Sequence, residues 1–252
     1  MSTPILQVRG LAKSYGGLQA VSNVSFTLAA GEVLAMIGPN GAGKTTCFNM
    51  LNGQTPPDNG TIEFEGRSLI GLRPRKIWRL GVGRTFQITA TFGSMTVREN
   101  VQMALLSRYR ELHSLFSLAH KRYLEEAVAL LERVGMVEQA GRACAVLAYG
   151  DLKRVELAVA LANGPRLLLM DEPTAGMAPM ERGELMQLVA SLAHDADIAV
   201  LFTEHDMDVV FNHADRIIVL NRGELIAQGP PEKVRVDPQV REIYLGSDFM
   251  HA

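Results

Sequence analysis

The chain has 252 residues, of which 47% are hydrophobic and 21% are charged, a composition typical of a folded globular protein. It carries 25 Lys and Arg residues against 27 Asp and Glu residues, so its net charge of −2 lacks the basic excess with which nucleic-acid binders neutralise phosphates. These values predict one α/β domain with two lobes, and no nucleic acid as a main partner.

The N-terminal residues 1–9 do not show the basic region followed by an apolar run that marks a secretory signal. Elsewhere, no stretch approaches the roughly 20 apolar residues that span a bilayer. We therefore expect a protein that is soluble on its own and resides in the cytoplasm. Cys47 and Cys144 are too few for a disulfide framework and lack a metal-ligand spacing, so we expect both to be reduced packing residues.

The N-terminal part of the chain predicts a mostly β lobe. Stretches rich in β-branched and apolar residues predict strands at 5–9, 21–28, 33–37 and 61–65. A helix is expected from 43 to about 52, and a turn rich in Pro, Asp, Asn and Gly follows at 56–60. The third strand therefore runs directly into a glycine-rich loop that precedes a helix.

This loop matches the pattern G-x-x-x-x-G-K-[ST] and lies between a buried strand and a helix, which predicts a phosphate-binding loop and not a chance glycine-rich turn. Its glycines let successive N–H groups point at phosphate oxygens, and the helix adds the positive end of its dipole. Lys44 supplies a full charge, and Thr45 supplies a hydroxyl ligand for Mg²⁺. The predicted nucleotide-binding residues of this segment are Gly38, Pro39, Asn40, Gly41, Ala42, Gly43, Lys44, Thr45 and Thr46.

The middle of the chain, from about 96 to 163, shows apolar residues at helical spacing with charged residues between them. These apolar residues are Val101, Leu105, Leu124, Val128, Leu131 and Val134. After Pro165 the pattern alternates again, which predicts strands at 167–170, 198–202 and 217–220 and helices at 180–194 and 207–213. Short all-apolar strands separated by helices are typical of a buried parallel sheet.

The strand at 167–170 ends in two carboxylates, Asp171 and Glu172, at the distance from the phosphate loop where a second strand of this kind of site is expected. Asp171 is predicted to hold Mg²⁺ directly or through water. Glu172 is predicted to accept a proton from the water that attacks the γ-phosphate. The alternative is a solvated acidic turn.

His205 follows the next buried strand, which in a parallel sheet ends at the same edge as the phosphate loop. A donor at this position can reach the γ-phosphate, so His205 is predicted to be catalytic. Lone histidines are usually structural, and the other five receive that interpretation. They are His113, His120, His194, His213 and His251.

In chain order, these motifs together with Gln87 and the segment 147–151 resemble the ABC ATPase family across essentially the whole chain. The resemblance implies that Tyr15 stacks on adenine and that Gln87 senses the γ-phosphate and Mg²⁺. It also implies that the signature loop acts on the nucleotide of a partner chain. In this chain the signature-loop residues are Leu147, Ala148, Tyr149 and Gly150.

The fold implied is a P-loop ATPase core with a parallel sheet, an N-terminal antiparallel β subdomain and an inserted helical subdomain. The core is expected at 1–87 and 164–252, and the helical subdomain at 88–163. Tyr15 also fits a half-buried aromatic residue at a strand end, Gln87 fits an ordinary loop residue, and the helix at 150–163 also fits plain core packing.

At two places this chain departs from the family pattern, which affects the roles that the resemblance implies. The usual signature reads Leu-Ser-Gly-Gly-Gln, whereas this chain has Ala148, Tyr149 and Asp151 in place of its serine, first glycine and glutamine. Losing the serine hydroxyl removes a hydrogen bond to a charged group, worth about 1.5 to 3 kcal/mol, so ATP binding across the dimer is expected to be weaker. Ala178 stands where many members carry an Asp, which predicts altered communication between the two sites.

The signature tyrosine, the Ala-Gly-Met-Ala-Pro turn at 175–179, the Glu-His-Asp-Met segment at 204–207 and the ending at 240–246 resemble the ATPases of branched-chain amino acid importers. This implies a subunit at the cytoplasmic face of a bacterial inner membrane, binding ATP and Mg²⁺ and paired head to tail with a second ATPase, the same or related. Its other partners would be membrane permeases and, indirectly, a periplasmic solute-binding protein. Urea, short amides and aromatic acids are alternative solutes.

Two other functions fit a phosphate loop. A soluble ABC-type ATPase that works on nucleic acid or ribosomes usually has two ATPase domains or long coiled-coil arms, and neither is evident here. A small-molecule kinase or GTPase gives no role to the signature or to His205, and no Asn-Lys-x-Asp guanine motif occurs.

Overall fold

Two β-sheets and nine α-helices make up the part of the chain that the structure, a computed structural model, describes, namely residues 4–85, 91–109 and 123–244. The smaller sheet is antiparallel and has the strand order β2-β1-β4-β5. Its strands are β1 (Leu6–Tyr15), β2 (Leu18–Leu28), β4 (Asn59–Phe64) and β5 (Arg67–Ser68).

The larger sheet has the order β10-β9-β3-β8-β7-β6, in which only β10 is antiparallel to its neighbour. All residues of β3, β7 and β8 are buried, which is the pattern of a sheet covered on both faces. The predicted parallel sheet is thus confirmed. The strands are β3 (Val33–Ile37), β6 (Val82–Thr85), β7 (Leu167–Asp171), β8 (Ala199–Thr203), β9 (Arg216–Asn221) and β10 (Glu224–Gly229).

The helices differ in what they cover. The helix α1 packs between the two sheets, whereas α3, α4 and α5 pack against one another on the other side of the parallel sheet. The helices are α1 (Lys44–Leu51), α2 (Pro74–Arg79), α3 (Val97–Arg108), α4 (Leu124–Arg133), α5 (Tyr149–Leu161), α6 (Pro179–Asp195), α7 (Met207–His213), α8 (Pro231–Val236) and α9 (Pro238–Tyr244). None of the helices in these ranges is long and apolar enough to cross a membrane.

The first strand is longer than predicted. The sequence predicted a strand only at 5–9, but β1 continues to Tyr15 because Gly10, at a φ of +60°, allows a register shift between Val8 and Leu11. This extension matters because it carries Tyr15 to the phosphate loop. The α/β fold class with its antiparallel and helical additions is confirmed, and the boundaries 1–87, 88–163 and 164–252 stay a prediction.

Candidate nucleotide site

A cavity of about 690 Å³ lies at the edge of the parallel sheet where β3 ends. It is lined by residues that are far apart in the sequence and that come from the first hairpin, the phosphate loop and the ends of β7 and β8. Its lining residues are Tyr15, Leu18, Gln19, Ala20, Asn40, Gly41, Ala42, Gly43, Lys44, Thr45, Thr46, Glu172, His205 and Arg222. Seven of the predicted phosphate-loop residues therefore share one cavity with Tyr15, Glu172 and His205.

The phosphate loop needs its glycines for two separate reasons. Gly41 and Gly43 have φ values of +80° and +102°, in the left-handed region that L side chains rarely adopt. In addition, a Cβ at Gly38 would lie 2.2 Å from the carbonyl oxygen of Leu220, and one at Gly43 would lie 2.4 Å from that of Ala20. The loop is thus held close to β9 and β2.

Lys44 is the cation of the phosphate loop and lines the cavity, although only 7% of the residue is exposed. Its Nζ donates to the carbonyl oxygens of Gly38, at 2.6 Å, and Pro39, at 3.2 Å. Burial lowers the pKa of this ammonium group, and the charges of Glu172 and Asp171 oppose that shift. The lysine is therefore folded back along its own loop, with two carboxylates across from it.

Asp171 ends β7, and its two carboxylate oxygens have different partners. Thr203 Oγ1 donates to Oδ1 at 2.7 Å, and a guanidinium nitrogen of Arg84 lies 3.7 Å from Oδ2. The side chains of Asp171 and Arg84 are both largely buried. The carboxylate does not line the cavity itself but lies near enough to Lys44 to act on its charge.

Glu172 turns away from the strand and into the cavity. Its φ of +48° is unusual for a residue with a side chain, and its N–H is held by the carbonyl and hydroxyl oxygens of Thr203, each at 3.1 Å. His205 Nε2 lies 2.9 Å from Glu172 Oε1. A neutral histidine makes this contact as a donor when Nε2 carries the proton.

Tyr15 stands at the other end of the cavity. It is the last residue of β1 and is 49% exposed, so much of its ring is available to a flat ligand. The ammonium group of Lys13 lies 5.6 Å from the ring centroid. Leu18, on the other strand of the hairpin, adds an exposed apolar side chain beside it.

The loop that follows Glu172 is fastened to the segment around His205 at two points. Thr174 donates from its N–H and its hydroxyl to one carboxylate oxygen of Glu204, at 2.9 and 2.6 Å, and both side chains are buried. Arg182 then donates to the carbonyl of Met177 at 2.8 Å and to Asp206 at 2.5 Å. The two chain segments that enter the cavity are therefore linked behind it.

The predicted signature residues lie elsewhere. None of residues 147–150 appears among the described residues that line the cavity. Ala148 is the N-cap of α5 and offers no side-chain cap, Tyr149 is 40% exposed, and Gly150 lies against the carboxylate of Glu181. Gln87 lies outside the described residues.

Several residues of the site were not found from the sequence. Thr203 ends the predicted strand at 198–202, so its position at the same sheet edge as Asp171 was a usable signal. Arg84 and Arg222 gave no local signal, because they come from a short strand and a turn that only the fold brings close.

Residues 21–175 match the family model described as ABC transporter. A curated relative from Salmonella typhimurium, described as the high-affinity branched-chain amino acid transport ATP-binding protein LivG, is 43% identical over 98% of this chain and 99% of its own. The chain belongs to the ABC transporter ATP-binding family. The resemblance seen in the sequence is thereby confirmed, and the protein is an ATPase cassette. Residues 224–250 of the cassette also match a model described as branched-chain amino acid ATP-binding cassette transporter.

Solved structures agree with this assignment. The ADP conformation of a cassette from an ABC transporter superimposes with a TM-score of 0.85 and 32% identity, covering 98% of this chain and all of that one. A dimeric cassette in a post-hydrolysis state, bound to ADP and Pi, gives a TM-score of 0.75 and 25% identity over 90% of this chain and 98% of its own. The family and the fold thus follow from sequence and structure together.

Proposed function

We propose that the cavity at the phosphate loop binds ATP and that this chain hydrolyses it to power solute import. The observation that carries the proposal is that one cavity unites Tyr15, the phosphate loop, Glu172 and His205 in a chain of this family. In this arrangement the adenine stacks on Tyr15, and the phosphates lie against residues 40–46. Lys44 exchanges its carbonyl partners for phosphate oxygens of higher negative charge.

The residues also fit Mg²⁺. Mg²⁺ prefers oxygen ligands and usually binds through one or two carboxylates, water and substrate phosphates, and the site offers a hydroxyl oxygen and a carboxylate. We assign the Thr45 hydroxyl and the Asp171 carboxylate to it, with Gln87 as a third ligand by family resemblance. When bound, the ion neutralises charge on the β- and γ-phosphates.

Hydrolysis needs a base that positions water in line with the γ-phosphate. Glu172 is proposed as this base, since its carboxylate faces the cavity and is not fully buried. His205 Nε2 lies 2.9 Å from the Glu172 carboxylate and donates to it when Nε2 carries the proton. Both side chains line the cavity, so His205 is proposed to turn this donor to the γ-phosphate when ATP is bound. A base of this kind contributes about 10²- to 10⁴-fold in rate.

Each nucleotide site is proposed to be completed by a second ATPase chain, the same or a related one. Two observations support this: residues 147–150 are absent from the described lining of the cavity, and a dimer is known for a related cassette. The exposed N-terminus of α5 offers backbone N–H groups and the positive end of a helix dipole to a partner's γ-phosphate.

A second cleft is proposed to receive a segment of a membrane permease. It has a volume of about 610 Å³ and lies between α2 and β6 of the core and the helices α3 and α5. Its walls are mostly apolar but include Arg75 and Arg84, so it suits a segment with apolar side chains and hydrogen-bond acceptors. A cassette bound to the permease through this cleft would lie at the cytoplasmic face of the inner membrane.

The imported solute is proposed to be a branched-chain amino acid delivered by a periplasmic binding protein. The support is the 43% identity to LivG over the full length and the family match at 224–250. The rival function on nucleic acid or ribosomes has no comparable support.

The test is uptake of labelled leucine, urea and an aromatic acid by cells that lack this protein. Leucine uptake alone is expected to fall and to return with the wild-type chain but not with a Glu172→Gln chain. If the uptake of only urea or only the aromatic acid fell, that compound would be the imported solute. Undiminished uptake of all three would overturn the importer function.

A further inference from the structure

Arg84 has two sets of partners at once. On one side, its NH2 lies 3.7 Å from Asp171 Oδ2. On the other side, its NH1 donates to Gln54 Oε1 at 3.1 Å and lies 3.4 Å from Asn49 Oδ1. A single guanidinium group therefore connects the carboxylate of the nucleotide site with a second region of the molecule.

That second region is the cleft described above. It is lined by Asn52, Gln54, Pro74, Arg75, Ile77, Trp78, Val82, Arg84, Ser107, Val159 and Ala160. Both Arg84 and its partner Gln54 thus face the space in which we place a permease segment. Gln54 is exposed, so its amide can exchange Arg84 for an incoming group.

The contact with Asp171 has a chemical consequence. Oδ1 accepts from Thr203 and Oδ2 lies next to Arg84, so a cation that binds Oδ2 shares this oxygen with the guanidinium. Burial lowers the pKa of the Arg84 guanidinium and the charge of Asp171 opposes this shift, while arginine in any case stays protonated in proteins. A divalent cation on Asp171 and the guanidinium therefore repel each other.

We infer that Arg84 is a positioning residue that competes with Mg²⁺ for Asp171, and that an acceptor entering the cleft draws Arg84 away and frees this carboxylate. The inference rests on the proposed function, because it takes Asp171 as a Mg²⁺ ligand and a permease segment as the natural occupant of the cleft. It supplies a route by which the permease regulates ATP binding: occupancy of the cleft lowers the Mg²⁺ concentration that the site requires.

The first test uses the isolated chain and a fluorescent ATP analogue, whose affinity is measured while Mg²⁺ is titrated. Arg84→Gln should lower the Mg²⁺ concentration at which half of the gain in ATP-analogue affinity is reached by about twofold to fivefold. The effect is modest because the ion pair is long, at 3.7 Å, and the desolvation of its largely buried partners offsets their attraction. Arg84→Lys keeps the charge and should stay near wild type. Arg75→Gln is the matched control: Arg75 lines the same cleft, but among the described residues the arginine that pairs with Asp171 is Arg84.

The second test imitates the acceptor group that a permease segment would bring into the cleft. In Gln54→Glu, a carboxylate replaces the amide that lies 3.1 Å from Arg84, and it should pull the guanidinium toward the cleft. The Mg²⁺ requirement should then fall as in Arg84→Gln. In the double variant Gln54→Glu/Arg84→Gln no further fall is expected, because the residue that carries the effect is gone.

Thermal unfolding of each variant checks that the fold is kept. An unchanged or raised Mg²⁺ requirement in Arg84→Gln would overturn the inference. So would an equal effect of Gln54→Glu with and without Arg84, since the added charge would then act directly on the ion through space. Failure of the wild-type chain to bind the nucleotide would instead overturn the proposed function.

Discussion

Glu172 shows how the backbone conformation can orient a side chain for its proposed role. Its φ of +48° takes the side chain out of the direction that β7 would give it, and Thr203 on the neighbouring strand holds that turn through the Glu172 N–H. A non-glycine residue in this conformation costs free energy of order 1 kcal/mol, which packing and hydrogen bonds must offset. This conformation places the Glu172 carboxylate in the cavity, within hydrogen-bond distance of His205.

The substitution Glu172→Gln should therefore lower ATP hydrolysis by about 10²- to 10⁴-fold while leaving ATP binding nearly unchanged, because the amide keeps the shape but cannot accept the proton. Phosphate release and equilibrium nucleotide binding measure the two effects. Glu65→Gln is the control: Glu65 has the same φ of +48° but lies outside the cavity, and its variant should hydrolyse ATP at the wild-type rate. Undiminished ATP hydrolysis by the Glu172→Gln variant would contradict the assignment of Glu172 as the base.

The buried thiol of Cys47 should make the folded chain less stable at alkaline pH. It is fully buried in α1, and burial raises the pKa of its thiol from 9.0 to about 12. The folded chain therefore keeps a proton that the unfolded chain loses above pH 9. This contribution to stability is complete below pH 9 and is lost as the pH rises from 9 toward 12.

In Cys47→Ala, the free energy of unfolding should fall less between pH 7.5 and pH 10 than in wild type, by about 1 kcal/mol. Urea denaturation at the two pH values measures this difference. Met50→Ala removes a buried side chain without a titrating group from the same helix, so it should keep the wild-type pH dependence. A Cys47→Ala chain with that same dependence would contradict the prediction.

Single residues could be predicted from the sequence where their partners are near in the chain. Lys44 and Thr45 belong to a contiguous loop whose geometry its own glycines determine, so their spacing was enough. Arg84 could not be predicted, because its contact with Asp171 spans 87 positions and depends on the order of β6 and β7 in the sheet. The roles of the signature residues and of Gln87 stay predictions from family resemblance.

At the level of elements, the strands β7 and β8 place two loops side by side at the sheet edge. The loop after β7 carries Glu172, and the segment after β8 carries His205. Thr174 and Glu204 join these segments in a buried contact. Loss of the Thr174 hydroxyl would leave this buried carboxylate oxygen with one of its two donors, so the contact should be sensitive to small changes.

We expect Thr174→Val to destabilise the chain by about 1.5 to 3 kcal/mol, the range for a hydrogen bond to a charged group, since valine matches the shape of threonine but cannot donate. Urea denaturation measures the loss. Thr174→Ser keeps the hydroxyl and should retain most of the stability. If the serine and valine variants were equally destabilised, the methyl packing of Thr174 and not its hydroxyl would be responsible.

Whole elements could be predicted where burial alone determines them. The strands β3, β7, β8 and β9 are short apolar runs, and their predicted positions agree with the structure to within one residue at each end. The missed elements are β5, β6, β10, α2, α8 and α9. They are short or half exposed, and β6 contains Gly83 and Arg84, so neither apolar runs nor periodicity indicated them.

At the scale of the whole molecule, the separation of the α5 N-terminus from the cavity determines what one chain can do. The cavity contains the phosphate loop and Glu172, whereas the signature residues face elsewhere. In the proposed dimer, one chain therefore supplies half of each of two different sites. In a head-to-tail pair with twofold symmetry, each site joins the phosphate loop of one copy to the signature of the other.

This arrangement predicts complementation between two inactive variants. Lys44→Ala damages the phosphate loop, and Gly150→Asp places a negative charge at the signature, beside Glu181. Each variant alone should be inactive. An equal mixture should recover about a quarter of the wild-type rate, because about half of the dimers are mixed and each mixed dimer has one of two sites intact. ATP hydrolysis after mixing measures the recovery, and melting temperatures verify that both chains are folded.

The double variant Lys44→Ala/Gly150→Asp, mixed equally with wild-type chain, separates a shared site from a self-contained one. In a head-to-tail pair, every mixed dimer then has one defect in each site, so only the wild-type dimers work and about a quarter of the activity remains. If each chain held a complete site, the wild-type copies would keep working in any dimer and about half would remain. The two single variants would then show no recovery when mixed, so the pair of mixtures tells which chain's α5 N-terminus completes the cavity.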